Sequence, residues 1–218
     1  MSRLRFGLWR AFFVLSALFI LIGGPQHPGG TMAEMLAHPK WVPSHALMLA
    51  GFLAFLAGLI LYRRSVPLPD RTRKWVRIAA IGTALQAVEM AFHTAASVDH
   101  ANLMAGRATP ILTTHLWLAV ILYPIFALTV VGLIIAAMRD RALGSPWIGW
   151  LGIVGVLAHG AAAPLVIVFE IPWARILFPF VTLFALWALL AALWPLRIPA
   201  GRRTPELLPL DSREVATG

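Results

Sequence analysis

Glu89 and His93 stand four positions apart in the stretch Glu89-Met-Ala-Phe-His93. On a helix that spacing puts a carboxylate and an imidazole on one face. His100 follows eleven residues after Glu89 and returns to nearly the same angle at 3.6 residues per turn. The surrounding run is apolar, and ionisable groups at membrane depth are costly enough to count as functional candidates. A carboxylate beside an imidazole suits proton transfer or metal ligation, so Glu89 and His93 are the catalytic candidates.

Three more histidines sit in apolar runs: His45, His115 and His159. Imidazole ligates haem iron, copper and zinc, and helical bundles build such sites from side chains on facing helices. His45, His93, His115 and His159 are therefore the cofactor-binding candidates. The expected metal set is His45, Glu89, His93 and His115, and the expected cofactor is haem b or a transition-metal ion. In the haem version His45 and His115 oppose each other as axial ligands. Met48, one turn below His45, is a soft alternative ligand. Small residues nearby, Ala91, Ala95, Ala96 and Gly160 to Ala163, leave room for a flat group.

Each feature also has an ordinary reading. Gly and Ala on membrane helices commonly serve close packing. His45 and His115 near span ends can face headgroups. Glu89 and His93 can form a structural pair, and Glu170 can pair with Arg175 at the surface. His27, His38 and His100 read as solvated loop residues.

The elements that must position these groups follow from composition. The chain has 218 residues, 60% hydrophobic and 12% charged, with mean hydropathy +0.81. Long apolar runs at bilayer length account for such values. The absence of cysteine removes disulfides, thiolate ligands and thiol nucleophiles. The expected fold is an all-α integral membrane protein, one six-transmembrane-helix bundle over 1–196. Spans fall at about 6–23, 45–62, 75–98, 111–138, 146–170 and 174–194, and 197–218 reads as a disordered cytoplasmic tail. A signal peptide is the alternative reading of the first apolar run. Thr31-x-x-Glu34 has the capping-box pattern and predicts a short interfacial helix over 31–37 in the first outer loop. Ser44 is the expected N-cap of the second span.

Charge sets the orientation. Arg3, Arg5, Arg10, Arg63, Arg64, Arg71, Arg73, Lys74, Arg77, Arg139, Arg141, Arg197, Arg202, Arg203 and Arg213 fall at one end of the predicted spans, leaving only Lys40, Arg107 and Arg175 of the 18 Lys+Arg at the other. The positive-inside rule then puts both termini in the cytoplasm of a bacterial-type inner (plasma) membrane. The net charge of +9 is orientation rather than a nucleic-acid footprint. All the histidines fall in the outer half, and the sequence offers no interior ionisable group in the inner half. One haem at most is supported.

The functional expectation is a membrane redox protein or membrane enzyme with its cofactor in the outer half. The bilayer is one partner, and a quinol or a redox protein supplies electrons. A small proton-coupled transporter is the alternative, and would need a homo-oligomer to complete an inner path. A structural or assembly subunit is the other.

Overall fold

The computed structural model describes residues 7–195, and all its regular structure there is helical. In order these are α1 (Leu8–Gly23), α2 (Met32–Ala37), α3 (Trp41–Ser65), α4 (Asp70–Ala95), α5 (His100–Met104), α6 (Pro110–Asp140), α7 (Pro146–Ile167) and α8 (Val181–Leu193). Short 3-10 turns at Gly24–Gln26, Ala96–Asp99 and Pro172–Phe180 join them. Five segments are long and apolar enough to cross a membrane: Leu8–Gln26, Trp41–Ser65, Pro110–Asp140, Pro146–Ile167 and Pro172–Leu193. With 26 residues α4 has the length as well, but Asp70, Arg71, Arg73, Lys74 and Arg77 crowd its first turns. The tail expected over 197–218 and the first residue of the span expected at 6–23 lie outside the described residues.

Each long helix packs on the next, and α8 packs back on α1, so α1, α3, α4, α6, α7 and α8 close a ring. The middle is apolar, filled by Phe13, Phe52, Phe55, Phe126, Phe184 and Trp187. Phe55 and Phe126 each meet Phe184 edge-on, at 5.0 and 5.4 Å. That arrangement suits the ring quadrupoles. The seam between α1 and α8 is polar at one end. Buried Arg10 donates from its guanidinium to the Ala192 carbonyl and, at 2.9 Å, to that of Trp194. These are carbonyls a helix C-terminus leaves without intrahelical partners. Arg10 corrects the expectation that this half lacks an interior ionisable group.

Boundaries differ from expectation where local chemistry intervenes. The second long helix begins at Trp41, not at His45, with Lys40 as N-cap. Ser44 lies inside the helix, and its hydroxyl donates to the Trp41 carbonyl at 3.0 Å. The third stops at Ala95, so His100 falls in a separate short helix and leaves the Glu89 face. Asp99 follows the break, and its Oδ2 accepts from the Ile111 and Leu112 amides at 2.7 and 2.9 Å. It thus serves the first orphan donors of α6. The fifth helix ends at Ile167, and Glu170 takes a left-handed backbone (φ 53°) in the reversal that follows. Glu170 makes no ion pair with Arg175 among the described residues. The capping box at Thr31 is present, with Thr31 N and Oγ1 donating to Glu34 Oε2 at 2.7 and 2.8 Å.

Candidate functional site

The site lies at the end of the bundle where α1 hands over to α3 and α4 to α6. Trp41 starts α3 and is buried, and its indole N–H donates to the His93 carbonyl at 3.1 Å, tying the start of α3 to the end of α4. One turn on, His45 is fully buried, and its Nδ1 lies 2.6 Å from the Trp41 carbonyl. A carbonyl only accepts, so Nδ1 carries the proton and Nε2 keeps its lone pair. That Nε2 is buried without a partner.

Four histidine rings gather here. His93 lies 4.1 Å from His45 and 3.9 Å from His115 between ring centroids, with tilts of 33° and 31°. His27 meets His45 at 4.8 Å. Glu89 is fully buried below them, and its Oε1 faces His115 Nδ1 at 2.8 Å and His93 Nδ1 at 3.7 Å. Its Oε2 accepts from Gln86 Nε2 at 2.8 Å. The Glu89–His115 contact is a hydrogen bond across the α4–α6 interface, whereas His93 Nδ1 has no hydrogen-bond partner. Unpartnered buried polar atoms are uncommon and call for an explanation.

The donor separations suit a metal. Ligands on one ion at about 2.1 Å stand roughly 3–4 Å apart in tetrahedral or octahedral arrangements. Glu89, His93 and His115 present donors all within 4.8 Å of one another, and so do His27, His45 and His93. Nitrogen and carboxylate donors without sulfur fit zinc, copper(II) or iron(II). His27 is exposed at the rim, its Nδ1 2.8 Å from the Pro28 carbonyl, so its Nε2 is also the bare nitrogen. Desolvation of the ring lowers its pKa, against the raising effect of the Pro28 bond, which favours the neutral form that binds metals.

His159 belongs to neither donor set. It lies between α7 and α6, where Tyr123 stacks on it at 4.7 Å, and its Nδ1 faces the Phe178 carbonyl at 3.1 Å. Its Nε2 is buried without a partner. The small residues after it serve packing: a Cβ added at Gly160 would run into the Cβ of Ala127 on α6. Met48 packs in the hydrophobic core.

His27 is the donor that sequence reasoning passed over as a solvated loop residue. Its position depends on the turn Gly24–Gln26, which redirects the chain over the start of α3. The flanking Pro25 and Pro28, which restrict that loop, were the available signal. His38 is exposed, as expected of a loop histidine, and its Nδ1 accepts from the Lys40 amide at 3.1 Å. Gln86 was also missed. It lies one turn before Glu89, but a lone glutamine in an apolar run carries no pattern of its own.

No family model, curated protein or solved structure matches this chain.

Proposed function

We propose that this chain is a six-span membrane protein that binds a transition-metal ion in its outer half and uses it for chemistry at the outer face. The sixth span is α4, whose charged first turns lie at the cytoplasmic end. Arg63, Arg64, Arg71, Arg73, Lys74, Arg77, Arg139 and Arg141 lie at the end of the bundle opposite the histidines. By the positive-inside rule both termini are cytoplasmic, in a plasma membrane of bacterial type, and the histidine cluster faces outward.

The observation that carries the reading is Glu89. It is a carboxylate with no exposure, whose Oε1 stands 2.8 and 3.7 Å from two imidazole nitrogens on separate helices. The 3.7 Å separation is that of two ligands on one ion, and the 2.8 Å contact is a hydrogen bond that would open slightly to admit one. His115 Nδ1 and Glu89 now share a proton that an arriving cation would displace. Gln86 holds the other carboxylate oxygen and fixes its direction, as outer-shell partners of metal ligands do. Freed from His115 or bound beside the ion, Glu89 is also the group placed to accept a proton from metal-bound water.

The ring spacing favours an ion over haem. A haem between His45 and His115 needs a slot the width of a porphyrin, and the tilted ring of His93 stands 4.1 Å from one and 3.9 Å from the other. Electron transfer, where the ion is redox-active, would use a quinol or a partner protein at the membrane surface.

Equilibrium dialysis of the detergent-purified, chelator-stripped protein against Zn2+ or Cu2+ tests this reading, with absorption spectra before and after dithionite. The reading expects bound metal, no Soret band, and weaker binding in Glu89→Gln and His93→Ala. A wild-type protein that binds neither ion, or one purified with a Soret band, would sink it.

A further inference from the structure

The donors at this end fall into two sets, His27–His45–His93 and Glu89–His93–His115. Within each set the three donor atoms lie within 4.8 Å of one another, and no set of four forms among the described residues. Two ligands of one ion can stand no further apart than twice the bond length, about 4.2 Å for imidazole on zinc. The five residues therefore cannot all close on one ion from these positions. His93 is common to both sets, and an imidazole carries two nitrogens, either side of Cε1, whose lone pairs diverge in the ring plane. Its Nδ1 faces Glu89 Oε1 at 3.7 Å and has no hydrogen-bond partner. A ring shared between the two sets would give Nδ1 to the Glu89 set and Nε2 to the other.

The His27–His45 side carries its own mark of a ligand site. Both rings spend the Nδ1 proton on a backbone carbonyl, of Pro28 at 2.8 Å and of Trp41 at 2.6 Å. Metal-bound histidines are usually oriented in this way, by a second-shell oxygen on the far nitrogen. The remaining lone pair of His45 is buried with nothing to accept from. An isolated buried acceptor carries an uncompensated desolvation cost, and a cation would offset it.

Building on the metal-binding reading above, we propose that the centre takes two transition-metal ions that share the ring of His93. The inner ion lies on Glu89, His93 and His115. The outer ion lies on His27, His45 and His93. Sharing requires the ring to lose its remaining N–H proton to solvent when the second ion binds. The outer ion has three protein ligands and stands beside exposed His27. Its further position is open to water or another small oxygen-donor ligand from the aqueous side.

The test is a Cu2+ titration of the full-length, chelator-stripped protein in detergent, followed by bound copper per chain and by the electron paramagnetic resonance signal. The expected result is two copper ions per chain, with signal intensity per copper falling as the second ion couples to the first through the shared ring. His27→Gln, chosen because that side chain stands on an exposed loop, should bind one copper with an uncoupled signal. One copper in the wild type overturns the two-ion centre and leaves the metal-binding reading standing. No copper overturns both. Two copper ions with uncoupled signals overturn the shared ring.

Discussion

Glu89 and His115 are 26 residues apart in sequence and meet at 2.8 Å between Oε1 and Nδ1, fully buried and nearly so, across the interface of two long helices. Among the described residues, the other ionisable group beside Glu89 is the ring of His93, whose Nδ1 lies 3.7 Å from Oε1. Three contacts at this end hold the surrounding helices in place. Trp41 ties α3 to α4, Asp99 anchors the start of α6, and Gln86 fixes the far carboxylate oxygen.

Gln86 touches no proposed ion, so its loss should act through Glu89. Gln86→Leu is expected to weaken metal binding by about 10–100-fold while the bundle stays folded. Competition against a chelator of known affinity measures the change. Unaltered affinity in a folded variant would show that Glu89 is fixed without it.

Asp99→Ala removes an acceptor shared by two amides at the start of α6. The loss of a helix cap costs about 0.5–2 kcal/mol. The metal-free variant should melt at lower temperature, with Asp99→Asn lying between it and the wild type. Equal melting of all three proteins would contradict the capping role.

Gly160→Val should destabilise the bundle by about 1–3 kcal/mol through overpacking, because Ala127 and the Tyr123 backbone already occupy the space a side chain would need. This also separates packing from cofactor room. If a flat group fills that place in the native protein, the variant should lose the group's absorption; a packing role predicts a change in melting alone.

The loop before α3 has a pH signature. Hydrogen bonds from Thr31 lower the pKa of Glu34 below the ordinary carboxylate value. A lowered carboxylate pKa contributes stability that is present above the unfolded value and lost as pH falls through the folded one. Protection of the Met32–Ala37 amides, measured against the intrinsic exchange rate at each pH, should therefore fall on acidification below the ordinary carboxylate range, and Glu34→Gln should flatten that dependence. An unchanged acid response in Glu34→Gln would assign it elsewhere.

Much of the helical pattern was legible because apolar length and arginine clusters survive in one dimension. Glu89 and His93 were visible from an i, i+4 spacing inside an apolar run, and His45 and His115 from their place near span ends. Their convergence was not, because it depends on how α3, α4 and α6 are rotated about their axes. Helix ends were misjudged where the cue lay elsewhere. Asp99 caps a helix eleven residues further on, and α4 stops at Ala95 with no proline or glycine to mark it. His27 escaped because its role comes from a turn that folds the loop back over the start of α3. His159 was legible as a histidine inside an apolar span, but its burial was not, because its partners, the Tyr123 ring and the Phe178 carbonyl, lie on other elements.

X-ray absorption at the metal edge of the loaded protein tests the central claim most directly, because it reads the ligands themselves. A first shell of nitrogen and oxygen at about 2.0–2.1 Å, with the outer-shell pattern of several imidazoles and a lower imidazole count in His93→Ala, is the predicted result. A shell of water oxygens alone, or one unchanged in His93→Ala, would contradict it.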